Sequence, residues 1–306
     1  MSIIKISGSK GDYSFDSEIS FIRKGKYSTV YVGCDESGKK LLIKKLHADK
    51  NEFLLQFNHT AFVAYSDQCI SRNEHYLIRP FINGESLYVL SKSGFLRKKS
   101  NKNLRINIIQ KTGEALTALH SSELIHGDIR PHNIILEYGG DLPEQDAPIR
   151  IIDLAMMRKA GTIPSQNGFS LLYSPPELIL KQYGLTGFAA DQYSFAITMY
   201  EILTGVIPFK HFNPELLMHL MLMQSLPSER GISDATLSVL RKASSRYPFK
   251  SPPSNLDLED LQFQLQQAVK NRYETINDFC DALISSLTNK QKSFFSFSNL
   301  KYFQVL

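Results

Sequence analysis

Over the first 80 positions, short runs of β-branched and aromatic residues alternate with clusters of polar, turn-forming residues. Residues 27–32 and 41–43 are two such runs, and the cluster at 34–38 separates them. A third run, 75–78, stops at Pro80, which cannot donate to a sheet ladder. This pattern predicts a strand-rich region. Within it, residues 47–57 predict a short helix.

From about residue 84, apolar residues recur at steps of three and four. Ile109, Leu116 and Leu119 follow this spacing, and Phe195 and Met199 begin a second series. Such spacing predicts amphipathic helices, and it continues, with a loop at 252–255, to about residue 287. We therefore expect an α+β fold with a small strand-rich lobe over residues 1–82, a larger mainly helical lobe over 83–287, and a tail over 288–306.

The composition of the 306 residues, 42% hydrophobic and 21% charged, is typical of a folded globular protein. No run approaches 18 apolar residues, so no membrane span is expected. The three cysteines lie far apart, which excludes a metal cluster or a disulfide framework built from them. The first residues lack an apolar signal core, so we expect a cytoplasmic protein.

Basic residues exceed acidic ones by 35 to 30, and the excess lies near the N-terminus. Residues 1–110 hold 18 Lys and Arg against 10 Asp and Glu. A basic patch is the usual footprint of nucleic-acid binding, but this imbalance is small and no nucleic-acid motif accompanies it. We therefore expect no nucleic-acid partner.

Candidate chemistry is concentrated in residues 126–136 and 151–155. Asp128 and Asn133 lie five residues apart, so one short loop can carry a proton acceptor and an oxygen ligand. Asp153 follows two isoleucines, where a buried charge is costly unless it binds a partner. Mg²⁺ prefers oxygen ligands and keeps several waters, so one Asp and one Asn suffice to hold it. Positioning, charge neutralisation and a proton acceptor are what phosphoryl transfer requires.

These stretches resemble the motifs of the protein-kinase superfamily, specifically its Ser/Thr members. Residues 126–133 are similar to H-R-D-L-K-P-x-N, with Gly127 for the arginine and Arg130 for the lysine. Asp153-Leu154-Ala155 is similar to D-F-G, residues 41–44 are similar to V-A-I-K, and residues 174–177 are similar to A-P-E. Asp191 matches the start of the D-x-W-S helix, and Arg272 matches the late R-Y segment. Gly127 gives the catalytic loop a non-RD form that is more similar to bacterial members.

The resemblance implies a kinase-like fold, with a small antiparallel-sheet lobe and a helical lobe, that binds ATP, Mg²⁺ and a protein substrate. It implies that Asp128 orients or accepts the hydroxyl proton and that Arg130 and Lys44 neutralise phosphates. Asn133 and Asp153 would hold Mg²⁺. The implied nucleotide-binding residues are Gly25, Ser28, Val30, Lys44, Glu52, Pro80 and Ile82.

The implied nucleotide-binding residues near the N-terminus depart from the family pattern. In the phosphate-covering loop only the middle glycine, Gly25, is kept, and Arg23 replaces the first, which predicts weaker ATP affinity. Glu52 lies only eight residues after Lys44, so either a short helix brings it to that lysine or the lysine has no such partner. Lys45 also follows Lys44, but neighbouring strand residues point to opposite faces, so only one can face the cleft.

Two further departures concern charge. Arg79 stands at the gatekeeper position, where the family usually has an apolar residue. Gly127 offers no charge to a phosphorylated activation segment, and Arg158 and Lys159 are expected on the mobile segment itself. A flexible surface pair is worth at most about 1 kcal/mol, so we expect activity to depend little on phosphorylation of that segment.

Two alternatives stay open. A pseudokinase would use the same fold as a scaffold or binding module, which the altered glycine loop favours. A small-molecule kinase of the aminoglycoside or choline type also uses H-G-D-x-x-x-x-N, the form found at residues 126–133. The protein substrate and the oligomeric state stay open as well.

Overall fold

The computed structural model of the chain describes residues 3–25, 28–47, 57–164, 170–246, 249 and 253–288. The N-terminal part is built of strands. They are β1 (Ile3–Ser7), β2 (Asp12–Asp16), β3 (Phe21–Lys24), β4 (Ser28–Asp35), β5 (Lys40–Leu46), β6 (Asp67–Ser71), β7 (Glu74–Pro80) and β8 (Gly84–Ser86). All but β8 form one antiparallel sheet in the order β1-β2-β4-β5-β7-β6, with β3 also paired to β4.

Alternation along the strands gives this sheet a core face and a cleft face. In β5, Leu41 and Ile43 are buried in a core with Tyr76 and Ile78 of β7. Residue 42 therefore shares the other face with Lys44, and the β5–β7 register sets residue 42 beside residue 79. The strand pattern thus decides which side chains reach the cleft.

The hairpin of β1 and β2 was not among the predicted strands, and the carboxylate of Asp67 helps to join it to β6. Asp67 accepts hydrogen bonds from the Ser9 amide and hydroxyl at 3.2 and 2.7 Å, from the Lys10 amide at 2.8 Å, and from the Tyr13 hydroxyl at 2.8 Å. Burial alone would raise the pKa of Asp67, but these bonds lower it to about 2.

The C-terminal part is mainly helical. Its helices are α1 (Leu87–Lys92), α2 (Lys102–His120), α3 (Pro176–Ile179), α4 (Phe188–Thr204), α5 (Pro214–Met223), α6 (Asp234–Ala243), α7 (Leu258–Lys270) and α8 (Ile276–Thr288). The two helices predicted from apolar spacing are confirmed as α2 and α4. Every residue of α4 from Ala190 to Thr204 is buried, so this helix forms the centre of the lobe.

Four short strands place the loops that carry the candidate chemistry. They are β9 (Leu124–Ile125), β10 (Ile134–Glu137), β11 (Ile149–Ile151) and β12 (Arg158–Lys159). β10 pairs with β8 and β11, and β9 pairs with β12. The motif at 126–133 is thereby held between β9 and β10, and the motif at 153–155 between β11 and β12.

The predicted α+β kinase-like architecture is confirmed, with an antiparallel sheet followed by a helical region. Most of the helix expected over 47–57, including Glu52, lies outside the described residues, as does the tail after residue 288. The apparent insertion before residue 272 contains α7, and residues 253–255 form a short 3₁₀ turn. None of the helices over the described ranges is long and apolar enough to cross a membrane.

Candidate active site

A buried carboxylate at the start of α4 shapes the loop between β9 and β10. Asp191 accepts hydrogen bonds from the amides of His126 and Gly127 at 2.8 and 2.9 Å. Gly127 adopts φ of +76°, a conformation that favours glycine. These contacts fix the turn that leads into Asp128.

Within this loop, Asn133 ties the Asp128 carboxylate in place. The Asn133 side-chain amide donates to the Asp128 carbonyl at 2.9 Å and to Oδ2 at 2.8 Å. Arg130 Nε lies 3.2 Å from the same Oδ2 but without hydrogen-bond geometry, so this contact is ionic. The amide, the carboxylate and the cation therefore share one loop, as the spacing of Asp128 and Asn133 predicted for those two.

The surroundings of Asp128 suit a group that handles a proton. Burial raises the pKa of Asp128, and the charge of Asp153 raises it further, against the lowering effects of Arg130 and of a hydrogen bond from Ser170. A raised pKa makes the carboxylate a better proton acceptor than a solvated Asp.

Asp153 begins the second motif and meets Lys44 across the cleft. Its backbone is left-handed, with φ of +65°, and its Oδ1 lies 2.8 Å from Lys44 Nζ. Burial opposes the charge of both groups, but the pairing lowers the pKa of Asp153 and raises that of Lys44. Lys45 points the other way and pairs with Glu74 at 2.5 Å.

A cavity of about 400 Å³ adjoins this ion pair. Its lining residues are Ile22, Arg23, Val30, Leu42, Lys44, Tyr65, Arg79, Ser86, Tyr88, Val89, His132, Ile152 and Asp153. Of the predicted nucleotide-binding residues, Val30 and Lys44 line it. Gly25, Ser28, Pro80 and Ile82 are described but are not part of this lining, with Ile82 buried and Pro80 exposed.

The donor set fits Mg²⁺ held together with a nucleotide. The described ranges contain no cluster of three His, Cys, Asp or Glu that could hold a metal ion. Mg²⁺ does not need one, because phosphate and water oxygens complete its shell. Asp153 offers carboxylate oxygens, and Asn133, whose amide nitrogen is engaged by Asp128, offers its amide oxygen.

Two aromatic features of the cleft were missed in the sequence. The ring centroid of Tyr65 lies 5.8 Å from Lys44 Nζ, and the tyrosine contributes to the raised pKa of that amine. Tyr88 stacks on His132 at 3.8 Å between ring centroids, and burial lowers the pKa of His132 to about 4. No sequence pattern marks Tyr65, whereas Tyr88 follows the expected hinge by only a few residues.

The expectation that Arg158 lies on a mobile segment is wrong. Arg158 belongs to β12, is buried, and donates to the carbonyls of Met156 at 3.1 Å and Thr162 at 3.2 Å. A β-carbon on residue 127 would collide with its guanidinium. Arg158 therefore fills the space that a side chain at position 127 would need.

The helical lobe is braced by the buried pair of Glu177 and Arg272. Arg272 donates to both carboxylate oxygens, at 2.7 and 2.9 Å. It also donates to the Ala189 and Ser245 carbonyls. These contacts join α3, the start of α4 and the segment after α7.

Comparison with known proteins agrees with this geometry. A family model described as the protein kinase domain matches residues 17–303. Similar curated proteins include MAP kinase kinase kinase wis4 of Schizosaccharomyces pombe, 26% identical over 265 residues that cover 76% of this chain and 18% of that protein. Serine/threonine-protein kinase PrkC of Bacillus subtilis is 24% identical over 230 residues, 70% of this chain and 34% of that protein.

Human ribosomal protein S6 kinase alpha-3 is 28% identical over 204 residues, which cover 65% of this chain and 26% of that protein. The chain thus spans less than half the length of these three relatives. The family match extends over most of the chain, from the strand-rich part to the last described helix. The chain belongs to the protein kinase domain family.

Proposed function

We propose that this chain is a Ser/Thr-type protein kinase that transfers the γ-phosphoryl group of a purine nucleoside triphosphate, ATP in most of the family, to a protein hydroxyl. One observation carries the proposal. The Asp128–Asn133 loop and the Lys44–Asp153 pair come together beside a cavity of nucleotide size. Catalysis of phosphoryl transfer depends mainly on such positioning and charge.

Asp128 acts on the acceptor hydroxyl. Its carboxylate, held by Asn133 and Arg130, orients the hydroxyl and accepts its proton as the oxygen attacks the γ-phosphorus. The bond between the γ-phosphorus and the β,γ-bridging oxygen breaks, and the nucleoside diphosphate leaves. Burial raises the pKa of Asp128 and so favours this proton transfer.

The remaining charged groups act on the phosphates. Asp153 and Asn133 would hold Mg²⁺, which when bound would neutralise phosphate charge. Lys44 exchanges its contact with Asp153 for the α- and β-phosphates, and Arg130 faces the γ-phosphate. We further propose Gly25, Ser28 and Val30 as the loop over the phosphates, Pro80 and Ile82 as hinge contacts of the base, and Glu52 as a partner of Lys44.

Serine and threonine are the proposed acceptors. The catalytic loop keeps the proline at 131 after Arg130, as Ser/Thr members do, and Ser170 forms a hydrogen bond that lowers the pKa of Asp128. Residues 1–82 and 83–287 serve as the two lobes of the proposed enzyme, with 288–306 as a tail. Its three free thiols suit the reducing cytoplasm.

The test is Mg²⁺-dependent transfer of γ-label from ATP and from GTP to protein, with both nucleotides offered so that base preference cannot hide activity. Asp128→Asn should reduce the transfer by about 10²–10⁴. Asp141→Asn is a matched control on an exposed loop and should leave it unchanged. Nucleotide binding without any transfer would instead favour the pseudokinase alternative, and label on a sugar or choline acceptor the small-molecule kinase.

A further inference from the structure

The cavity is lined by apolar side chains and by cationic ones, among them Lys44 and Arg79. Val30, Leu42 and Ile152 contribute apolar side chains, as expected for a site that holds a flat base. Arg79 also lines the cavity although only 5% of it is exposed, and the strand register sets it beside Leu42. Among the described lining residues, Asp153 is the acidic one, and its near oxygen is engaged by Lys44.

Arg79 already uses the backbone group that the resemblance assigns to the base. Its Nη1 donates to the Pro80 carbonyl at 3.0 Å, the carbonyl expected to accept from the exocyclic amine of adenine. A guanidinium carries five N–H donors and no acceptor. Arg79 therefore engages the carbonyl that the exocyclic amine of adenine would use, and its guanidinium has further N–H donors to offer a ligand in the cavity that Arg79 lines.

The two kinds of purine differ at the edge that such a group reads. Guanine and hypoxanthine carry two neighbouring acceptors, N7 and O6, which match the parallel donors of an arginine. Adenine carries the acceptor N7 beside a donor amine, so the same fork can make only one good bond with it. Because only 5% of Arg79 is exposed, a donor left unmatched beside a bound base would have little access to water.

We propose that Arg79 reads the N7–O6 edge of a 6-oxopurine, so that the cleft takes guanine or hypoxanthine nucleoside triphosphates in preference to ATP. The proposal rests on the proposed function for the phosphoryl transfer that follows, but not for the binding step. Arginine suits this task better than lysine, because its fork is planar and rigid whereas an ammonium is a point charge.

The experiment compares five nucleotides by calorimetry with Mg²⁺ on the full chain. ATP, 2,6-diaminopurine riboside triphosphate, ITP and GTP vary the groups at positions 6 and 2 independently, and 7-deaza-GTP removes only the N7 acceptor. GTP and ITP should bind alike and about tenfold or more tighter than both 6-amino nucleotides. The 7-deaza analogue should bind several-fold more weakly than GTP.

Arg79→Met and Arg79→Lys test the residue itself. The methionine should remove the preference, and the lysine should reduce it while keeping the charge. Equal or tighter binding of ATP to the unaltered chain overturns the proposal, even where Arg79→Met fails to fold. The proposal is also overturned if the unaltered chain binds all five nucleotides weakly and Arg79→Met binds them tightly, because Arg79 would then simply obstruct the cavity.

The failures of this proposal and of the proposed function are distinguishable. A 6-oxopurine preference without label transfer to protein supports the base recognition and contradicts the kinase activity. Efficient transfer from ATP together with a preference for ATP supports the kinase activity and contradicts the base recognition. No binding of any nucleotide to the unaltered chain or to the Arg79 variants contradicts both.

Discussion

The buried pair of Glu177 and Arg272 offers the sharpest test of what holds the helical lobe together. Their side chains are at most 1% exposed and meet through two short hydrogen bonds. Glu177→Gln removes one charge and leaves the other buried without its partner. We predict that this substitution lowers the free energy of unfolding by about 3–5 kcal/mol.

Two comparisons isolate the buried charge as the cause. Glu114→Gln breaks a pair with Lys111 in which both side chains are about half exposed, and such a pair is worth about 0.5 kcal/mol or less. Glu177→Leu combined with Arg272→Met removes both buried charges at once. Since a buried pair replaced by apolar residues loses little, this double variant should be more stable than Glu177→Gln.

Thermal unfolding followed by circular dichroism measures these effects. For a domain of this size, each kcal/mol shifts the midpoint by about 2–4 °C, so Glu177→Gln should lower it by about 6–20 °C. The surface variant should shift it by about 2 °C or less. A shift for Glu177→Gln no larger than that of Glu114→Gln, or a double variant less stable than Glu177→Gln, would refute the reasoning.

Four further variants test other contacts. Asp128→Asn should keep nucleotide binding in calorimetry but reduce label transfer by about 10²–10⁴. Asp153→Asn should also lose the Mg²⁺-dependent part of nucleotide binding. Normal binding of the Mg²⁺–nucleotide complex by both variants would contradict the metal-binding role of Asp153. Gly127→Ala should lower the free energy of unfolding by at least about 1 kcal/mol because residue 127 has a positive φ. Gly139→Ala is the control, since a β-carbon at residue 139 would lie in open space, and it should not lower that free energy. The pKa of about 2 at Asp67 predicts that wild type loses stability as pH falls from about 4 to 2, and that Asp67→Asn loses less in acid titration.

The sequence predicted what depends on local order along the chain. The spacing of Asp128 and Asn133 predicted that they share one short loop, although it did not predict the hydrogen bond between them. The period of a strand likewise foretold that Lys44 and Lys45 face opposite sides. The spacing of apolar residues also predicted helices α2 and α4.

The sequence did not predict contacts between distant segments. Asp67 receives its hydrogen bonds from residues more than 50 positions earlier, and the alternation in β1 and β2 was overlooked. Asp191 holds amides about 65 positions away, which the helix motif does not reveal. Arg158 was placed on a mobile segment because a two-residue strand such as β12 has too short a pattern to recognise.

The kinase activity itself is the central claim, and phosphopeptide mass spectrometry of the label-transfer reaction tests it most directly. The account predicts phosphoserine and phosphothreonine on protein after incubation with Mg²⁺ and a purine nucleoside triphosphate. It predicts that Asp128→Asn lowers these products by about 10² or more. Equal phosphate incorporation by both proteins, phosphotyrosine as the main product, or no phosphate on protein with either ATP or GTP would contradict it.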